Sequence, residues 1–319
     1  MEAMAWKRSE YEAQRAEATR QELAERIAWA VREDGVAEPL PWLRLRRADA
    51  PTELGHGVSA PSFCVIAQGS KEILLGEKRY RYDPAHYLIT TASLPIASRI
   101  SEASREQPFL NMVFHLDVPQ ISAVMAEAGH MLERGCPAVT AIDVSALDMG
   151  LLDAAARLMR LLENPTESRL LAPLVLREIL YRLLMGEQRE RLGQIVAQGG
   201  AGQRIAAVVD RLRREFDQPL RIDELARDHG MSVSGFHHHF RAFTAMSPLQ
   251  FQKQLRLQEA RRLMLSEGLD AASAGFRVGY SNASHFTREY KRLFGAPPLR
   301  DVEHLRDASG QRAVAQGAV

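Results

Sequence analysis

The sequence predicts an α+β chain in two parts: a β-rich first half carrying a helical hairpin, then an all-α last third. Three observations carry that prediction. Short apolar runs about ten residues apart, broken by Gly, Pro and Asp, fill residues 43–116. From Pro119 the apolar residues recur at three- and four-residue spacing. Beyond residue 200 the text repeats itself at an offset of fifty.

Composition sets the outer bounds. A chain of 319 residues is long enough for two cores, and 46% hydrophobic with 25% charged residues is a globular balance. No run of about eighteen apolar residues occurs, so no membrane-spanning helix is expected. Residues 1–40 start as a charged amphipathic helix, without the apolar core and small-residue cleavage site of a secretory leader. They are read as an N-terminal helical extension. Two cysteines, Cys64 and Cys136, are too few and too isolated for a disulfide framework or a zinc knuckle. The cytoplasm is the expected compartment. Charge is unevenly divided: residues 201–300 hold sixteen Lys and Arg against ten Asp and Glu, whereas residues 1–200 hold twenty-three against twenty-seven. A basic module behind a slightly acidic one suits a phosphate-bearing partner.

The strand-like runs in the first part are Leu43–Leu45, Phe63–Ala67, Lys71–Leu75, Tyr80–Tyr82, Tyr87–Thr91, Ile96–Ile100 and Leu110–Leu116. Runs of this length and spacing predict a small antiparallel barrel or sandwich over residues 41–118. Residues 119–197 read as helical. Within them 147–162 and 168–185 carry helical apolar periodicity on either side of Asn164-Pro165, which ends one helix and permits the next. A hairpin of two such helices offers either a cover for the barrel or a seam between two copies of the chain. Residues Gln198 to Gly202 are the clearest linker.

The repeat lies beyond that linker, in residues 201–300. Phe236 and Phe286, Phe240 and Tyr290, Arg241 and Lys291, and Pro248 and Pro298 stand fifty residues apart. Gly230 and Gly279, and Ala226 and Gly275, stand forty-nine apart, so the second copy carries one extra residue in its turn. Each copy has a helix-turn-helix pattern: a short helix with a small residue at the crossing, a glycine turn, a corner plug (Met231 or Tyr280), then a longer helix. Ser232 caps that longer helix in the first copy, and Ser281 or Asn282 in the second. Between the copies, Ser247-Pro248 starts a helix of about eighteen residues, roughly 27 Å long.

With Phe236, Phe240 and Phe243 turned inward, the first long helix presents Ser232, Ser234, His237, His238 and Arg241 outward. The second presents Asn282, Ser284, His285, Thr287, Arg288 and Lys291. Hydroxyls, amides, imidazoles and guanidinium groups are the side chains that reach base edges and phosphates, so double-stranded DNA is the expected partner. The run His237-His238-His239 does not read as a metal site, because successive helical residues diverge by roughly 100°.

At these residues the chain resembles a known family. Ile222–Pro298, above all GYSNASHFTREYKRLFGAPP, resembles the AraC/XylS transcription regulators. The stretch from Ala60 to Ser104 and the segment QPFLNMVFHLD resemble the AraC-type N-terminal domain of a subgroup of them. The resemblance implies a seven-helix DNA-binding domain behind a cupin-like β-barrel that binds an effector and dimerises, with residues 301–319 left as a tail. It implies homodimers, and RNA polymerase as a further partner where the regulator activates. Ala274 and Gly275 stand where the family usually carries a larger aliphatic and an alanine, a change expected to loosen the second motif's first helix.

The rival reading is a cupin-type metalloenzyme fused to a DNA-binding module. A metal-binding cupin needs a His-x-His pair, a nearby Glu and a later His. His56, His86 and His115 are singly placed, and no nucleophile, base and orienting group can be assembled, so the chain reads as a non-enzyme without a cofactor. A small-molecule effector is expected instead, with Cys64, Gln68, Tyr87, Thr91, Ser93, Arg99 and His115 as candidate contacts. Cys64 is also a candidate sensor of electrophiles or oxidants, opposed by its apolar neighbours Phe63, Val65 and Ile66.

Overall fold

Glu, Gln, Arg and Ala dominate the start of the chain, and they form the helix their propensities favour. In the computed structural model this helix, α1, runs Glu2–Ala30, with Leu23 and Ile27 fully buried. The structure describes residues 2–129, 138–196 and 200–316, and side chains among them except at 2–10, 195 and 308–316. Cys136 and the Gln198-Gly199 part of the expected linker lie outside the described residues. Two compact units result, Met1–Ala206 with Ala242–Ala245, and Ala207–Arg241 with Met246–Val319.

After α1 come the strands β1 Gly35–Leu40, β2 Leu43–Ala48, β3 Gly55–Val58, β4 Ser62–Gln68, β5 Ser70–Leu75, β6 Lys78–Tyr82, β7 His86–Thr90, β8 Pro95–Glu102 and β9 Phe109–His115. Helix α2, Val118–Glu127, leads toward a further strand, β10, Ile142–Ala146. The strands pair antiparallel in two sheets, of order β1-β2-β9-β4-β7-β10 and β3-β8-β5-β6. Hydrogen bonding therefore groups the strands into two facing sheets, of six and four strands. Two strands fall outside the span 41–118. β1 precedes it, because Gly35–Leu40 folds back on β2, and β10 follows it, because Ile142–Ala146 adds an edge to β7.

The larger sheet is covered on both faces. On one side α1 packs over β2, β4 and β9 and against α3, Met149–Leu161. Phe63, Phe114 and Tyr87 stack beneath it. Charge reinforces the apolar contact: Arg160 donates to both carboxylate oxygens of Glu22 at 2.7 and 2.5 Å, and Arg26 pairs with Glu22 and Glu163. The Arg160 hydrogen bonds hold the Glu22 carboxyl down at about 2. The expected extension is thus part of the first unit's core. Helix α4, Pro165–Met185, starts on the Asn164 cap, and α5, Arg189–Val196, closes the unit.

The last third is helical throughout its described residues: α6 Ala201–Arg214, α7 Ile222–Asp228, α8 Val233–Thr244, α9 Pro248–Ser266, α10 Ala271–Arg277, α11 Ala283–Phe294 and α12 Pro298–Gln316. Ala201 and Gly202, expected in the linker, already belong to α6. The expected tail is also corrected. Residues 301–316 continue α12, with Asp301 and Val302 buried. Arg261 grips Asp301 with two bonds of 2.8 and 2.6 Å, and the Tyr290 hydroxyl donates to the same carboxylate at 2.7 Å. A bidentate pair of this kind, buried and shared with a phenol, ties α9, α11 and α12 together.

Candidate functional site

The two helix-turn-helix units are built alike to the level of single hydrogen bonds. In the first, Gly230 N–H donates to Arg227 and Met231 N–H to Ala226; in the second, Gly279 donates to Phe276 and Tyr280 to Gly275. Each is a helix end closed by a left-handed glycine, at φ +62° and +90°. The extra residue of the second copy lies in Tyr280-Ser281-Asn282, where Asn282 is the cap: its side-chain oxygen accepts from His285 N at 2.9 Å. Ser232 caps α8 by accepting from Gly235 N. Gly275 is buried where α10 crosses α11. A Cβ there would lie 2.9 Å from Phe286, so the ring fills the space a larger residue would need.

Helix α9 starts on a reciprocal capping box between Ser247 and Gln250. At nineteen residues it is roughly 28 Å long. Arg256 on it donates to the backbone carbonyls of Phe216, Asp217 and Gln218, ahead of α7, and to that of Gly279 in the second turn. Lys253 on the same helix meets the buried Glu289 carboxylate of α11 at 2.7 Å. Both contacts fix the second long helix relative to the rod that carries it. Neither residue was among the sequence candidates.

With that scaffold in place the sequence-selected polar faces point outward. Ser232, Ser234, His237, His238 and Arg241 on the first unit are exposed, as are Asn282, Ser284, His285, Thr287, Arg288 and Lys291 on the second. Ser232 and Asn282 are committed to capping, and the Thr287 hydroxyl donates back to Ala283 O. Arg241, Arg288 and Lys291 take part in no ion pair among the described residues. Three unneutralised cations on two helix faces are the arrangement that meets phosphates and guanine edges.

The effector candidates scatter. Cys64 turns into the space between the sheets, where its thiol lies 3.6 Å from the Ser62 hydroxyl. Tyr87 shares a face with Phe63, 5.3 Å away ring to ring, and its hydroxyl meets Ser145 and Gln188 on the helix-covered side. Arg99 sits on the outer face of the smaller sheet, paired with Glu72 at 2.7 Å. Gln68 donates to Pro108 O and lines an open groove of about 790 Å³ between α1 and the strand ends. Thr91 bonds the Ala141 backbone, Ser93 is buried in a loop, and His115 is half-buried beside Arg44. For those on the larger sheet the reason is shared. Both faces of the larger sheet are covered, so burial of a polar residue there does not say which side it faces.

What the sequence reading missed is the remainder of that interior. On β5, Lys71 stands in phase with the inward Ile73 and Leu75, and its cross-strand partner is the fully buried Tyr82. On the facing sheet Arg46, Asn111 and Ile66 form one rung, in phase with Cys64. A lysine in the apolar phase of a strand was the available signal. Among the described residues no group of three or more His, Cys, Asp or Glu side chains is placed to hold a metal ion. No described helix is long and apolar enough to cross a membrane.

Comparison with known proteins agrees with this architecture. Residues 39–191 match the model of the AraC-type transcriptional regulator N-terminus, and residues 225–302 that of a helix-turn-helix domain. The chain is thus similar to AraC-type transcriptional regulators in its first part and to helix-turn-helix domains in its last third. Curated relatives include the HTH-type transcriptional regulator ArgR of Pseudomonas aeruginosa, 24% identical over 41% of this chain and 40% of its own length. The HTH-type transcriptional activator RhaS of Klebsiella pneumoniae is 27% identical over 41% and 47%. The chain spans about half the length of the curated relatives it matches. Unsaturated-fatty-acid-bound ToxT of Vibrio cholerae shares the fold at a TM-score of 0.51 and 8% identity, over 83% of this chain and 96% of that one.

Proposed function

We propose that the chain is a sequence-specific, DNA-binding transcription regulator whose first unit binds a small-molecule effector and whose two helix-turn-helix units read adjacent major-groove segments. The observation that carries this is the matched pair of outward faces, with Arg241 unpaired on one and Arg288 and Lys291 unpaired on the other. Major-groove segments on one side of a duplex recur about every 34 Å, which a rod of roughly 28 Å can bridge. Regulation in the cytoplasm without catalysis, and contact with RNA polymerase where the chain activates, belong to the same reading. Genome-wide mapping of bound DNA supplies the operator. On that operator Arg241→Ala and Arg288→Ala are each expected to weaken binding by about 1–3 kcal/mol, roughly five- to 150-fold, at unchanged thermal stability. Wild-type affinity in both variants at matched salt would overturn the assignment of these faces.

A dimer is part of the proposal, and α4 supports it. Leu170, Leu174, Tyr181 and Met185 form one stripe along that helix and remain between 40% and 66% exposed, opposite the buried Leu176, Ile179 and Leu183. Exposed leucines in a continuous row favour burial against a second copy. Leu170→Glu with Leu174→Glu is expected to raise the dimer dissociation constant by about 100-fold or more, as read by sedimentation. A double variant that dimerises like wild type would refute this seam.

A further inference from the structure

The space between the two sheets holds an ammonium group, that of Lys71, with no carboxylate paired to it among the described residues. Strand register turns Lys71 and Tyr82 inward from the smaller sheet, and Arg46, Asn111 and Cys64 inward from the larger one. The neighbouring thiol does not supply a counter-charge, since burial pushes Cys64 up and so keeps it protonated. Burial also pushes the Lys71 ammonium down, with the Arg46 charge adding to the effect. Asn111 is 2% exposed, and its side-chain oxygen has no hydrogen-bond partner. Natural structures seldom leave such an acceptor unmet, so it calls for a donor. Cys64 keeps 7% of its surface accessible and Lys71 is only half-buried, although both turn inward.

From this juxtaposition we infer that the sheet interior binds a small hydroxylated carboxylate, its anion on Lys71 and Arg46 and its hydroxyl donating to Asn111. The inference rests on the proposed effector-binding role and names the ligand class for it. Apolar Ile66 and Ile73 flank the polar groups and suit a short hydrocarbon body. A half-buried ammonium and guanidinium gain more from a carboxylate than from a neutral group, because charge-assisted hydrogen bonds are the strong ones. A neutral amide of the same shape keeps the hydrocarbon contacts and loses the ionic ones.

Thermal unfolding of the full-length protein tests this with lactate, mandelate and phenyllactate, each beside its neutral amide. At saturation at least one acid is expected to raise the melting temperature by about 5 °C, while its amide leaves it unchanged. Lys71→Met should fold, as apolar replacements of buried charges do, and should lose the shift. Asn111→Ala should erase the preference for phenyllactate over phenylpropionate, which lacks the hydroxyl. No shift with any of the three acids, or a shift that survives in Lys71→Met, overturns the inference. Equal shifts with acids and amides overturn it too, yet leave an effector site standing. Failure of the wild-type chain to bind DNA would be a separate result, against the regulator reading itself.

Discussion

Gly279→Ala is expected to cost the helical unit about 2–5 kcal/mol, measured by urea unfolding of the full chain. Two effects add at this position. Its φ of +90° is in the left-handed region, which an L side chain enters at about 1–2 kcal/mol. In addition, a Cβ there would lie 2.2 Å from the backbone oxygen of Asp217 and 2.9 Å from the Arg256 guanidinium. Overpacking of this kind adds about 1–3 kcal/mol, and relief is difficult because the same guanidinium holds the Asp217 carbonyl in place. Gly295→Ala separates the two effects. Gly295 has a similar φ of +82°, but a Cβ there would meet nothing within 4 Å, so about 1–2 kcal/mol is expected. Equal costs at the two glycines would show that the contact with Asp217 contributes nothing.

Position 279 also shows what could be read from the sequence. The forty-nine-residue offset to Gly230 marked it as a turn glycine, and the two turns do share their hydrogen bonds. Apolar residues at three- and four-residue spacing placed Phe236, Phe240, Phe286 and Tyr290 inward, which left the polar faces outward by geometry alone. Local signals of this sort need no partner elsewhere in the chain. The contact with Asp217, by contrast, joins residues more than sixty positions apart through a backbone oxygen, and backbone oxygens carry no sequence signature. Strand β10 escaped for a related reason: its partner β7 lies more than fifty residues earlier, with β8, β9 and α2 between them. In the first unit, alternation located the strands without distinguishing the helix-covered face from the sheet-covered one. Tyr87, read as an effector contact, therefore turns out to face the helix-covered side, beside Phe63.

Arg256 is the residue on which these long-range contacts converge, and Arg256→Met is expected to cost about 3–5 kcal/mol. The guanidinium donates to Phe216 O at 2.7 Å, Gly279 O at 2.9 Å, Gln218 O at 2.9 Å and Asp217 O at 3.1 Å. Of these acceptors, Gln218 O keeps a second donor in the Gln252 amide at 2.7 Å. Bonds to a charged group are worth about 1.5–3 kcal/mol each, and carbonyls left unmet in a part-buried site add to the loss. Partial access of water to the vacated site holds the total below the sum of four such bonds. Arg256→Lys should recover less than half of it, because a compact ammonium cannot span acceptors that the planar fork reaches at once. The pair of predictions is linked. In an Arg256→Met background the guanidinium no longer crowds position 279 or braces Asp217, so Gly279→Ala should cost at least about 1 kcal/mol less than in the wild type. Strict additivity in that cycle would mean that the two residues act separately and that Arg256 does not brace the second turn. With coupling present, the DNA-binding consequence is specific. Arg256→Met should lower affinity most for operators that engage both helix-turn-helix units, and least for DNA carrying only one segment, because the residue sets their mutual orientation and touches neither outward face.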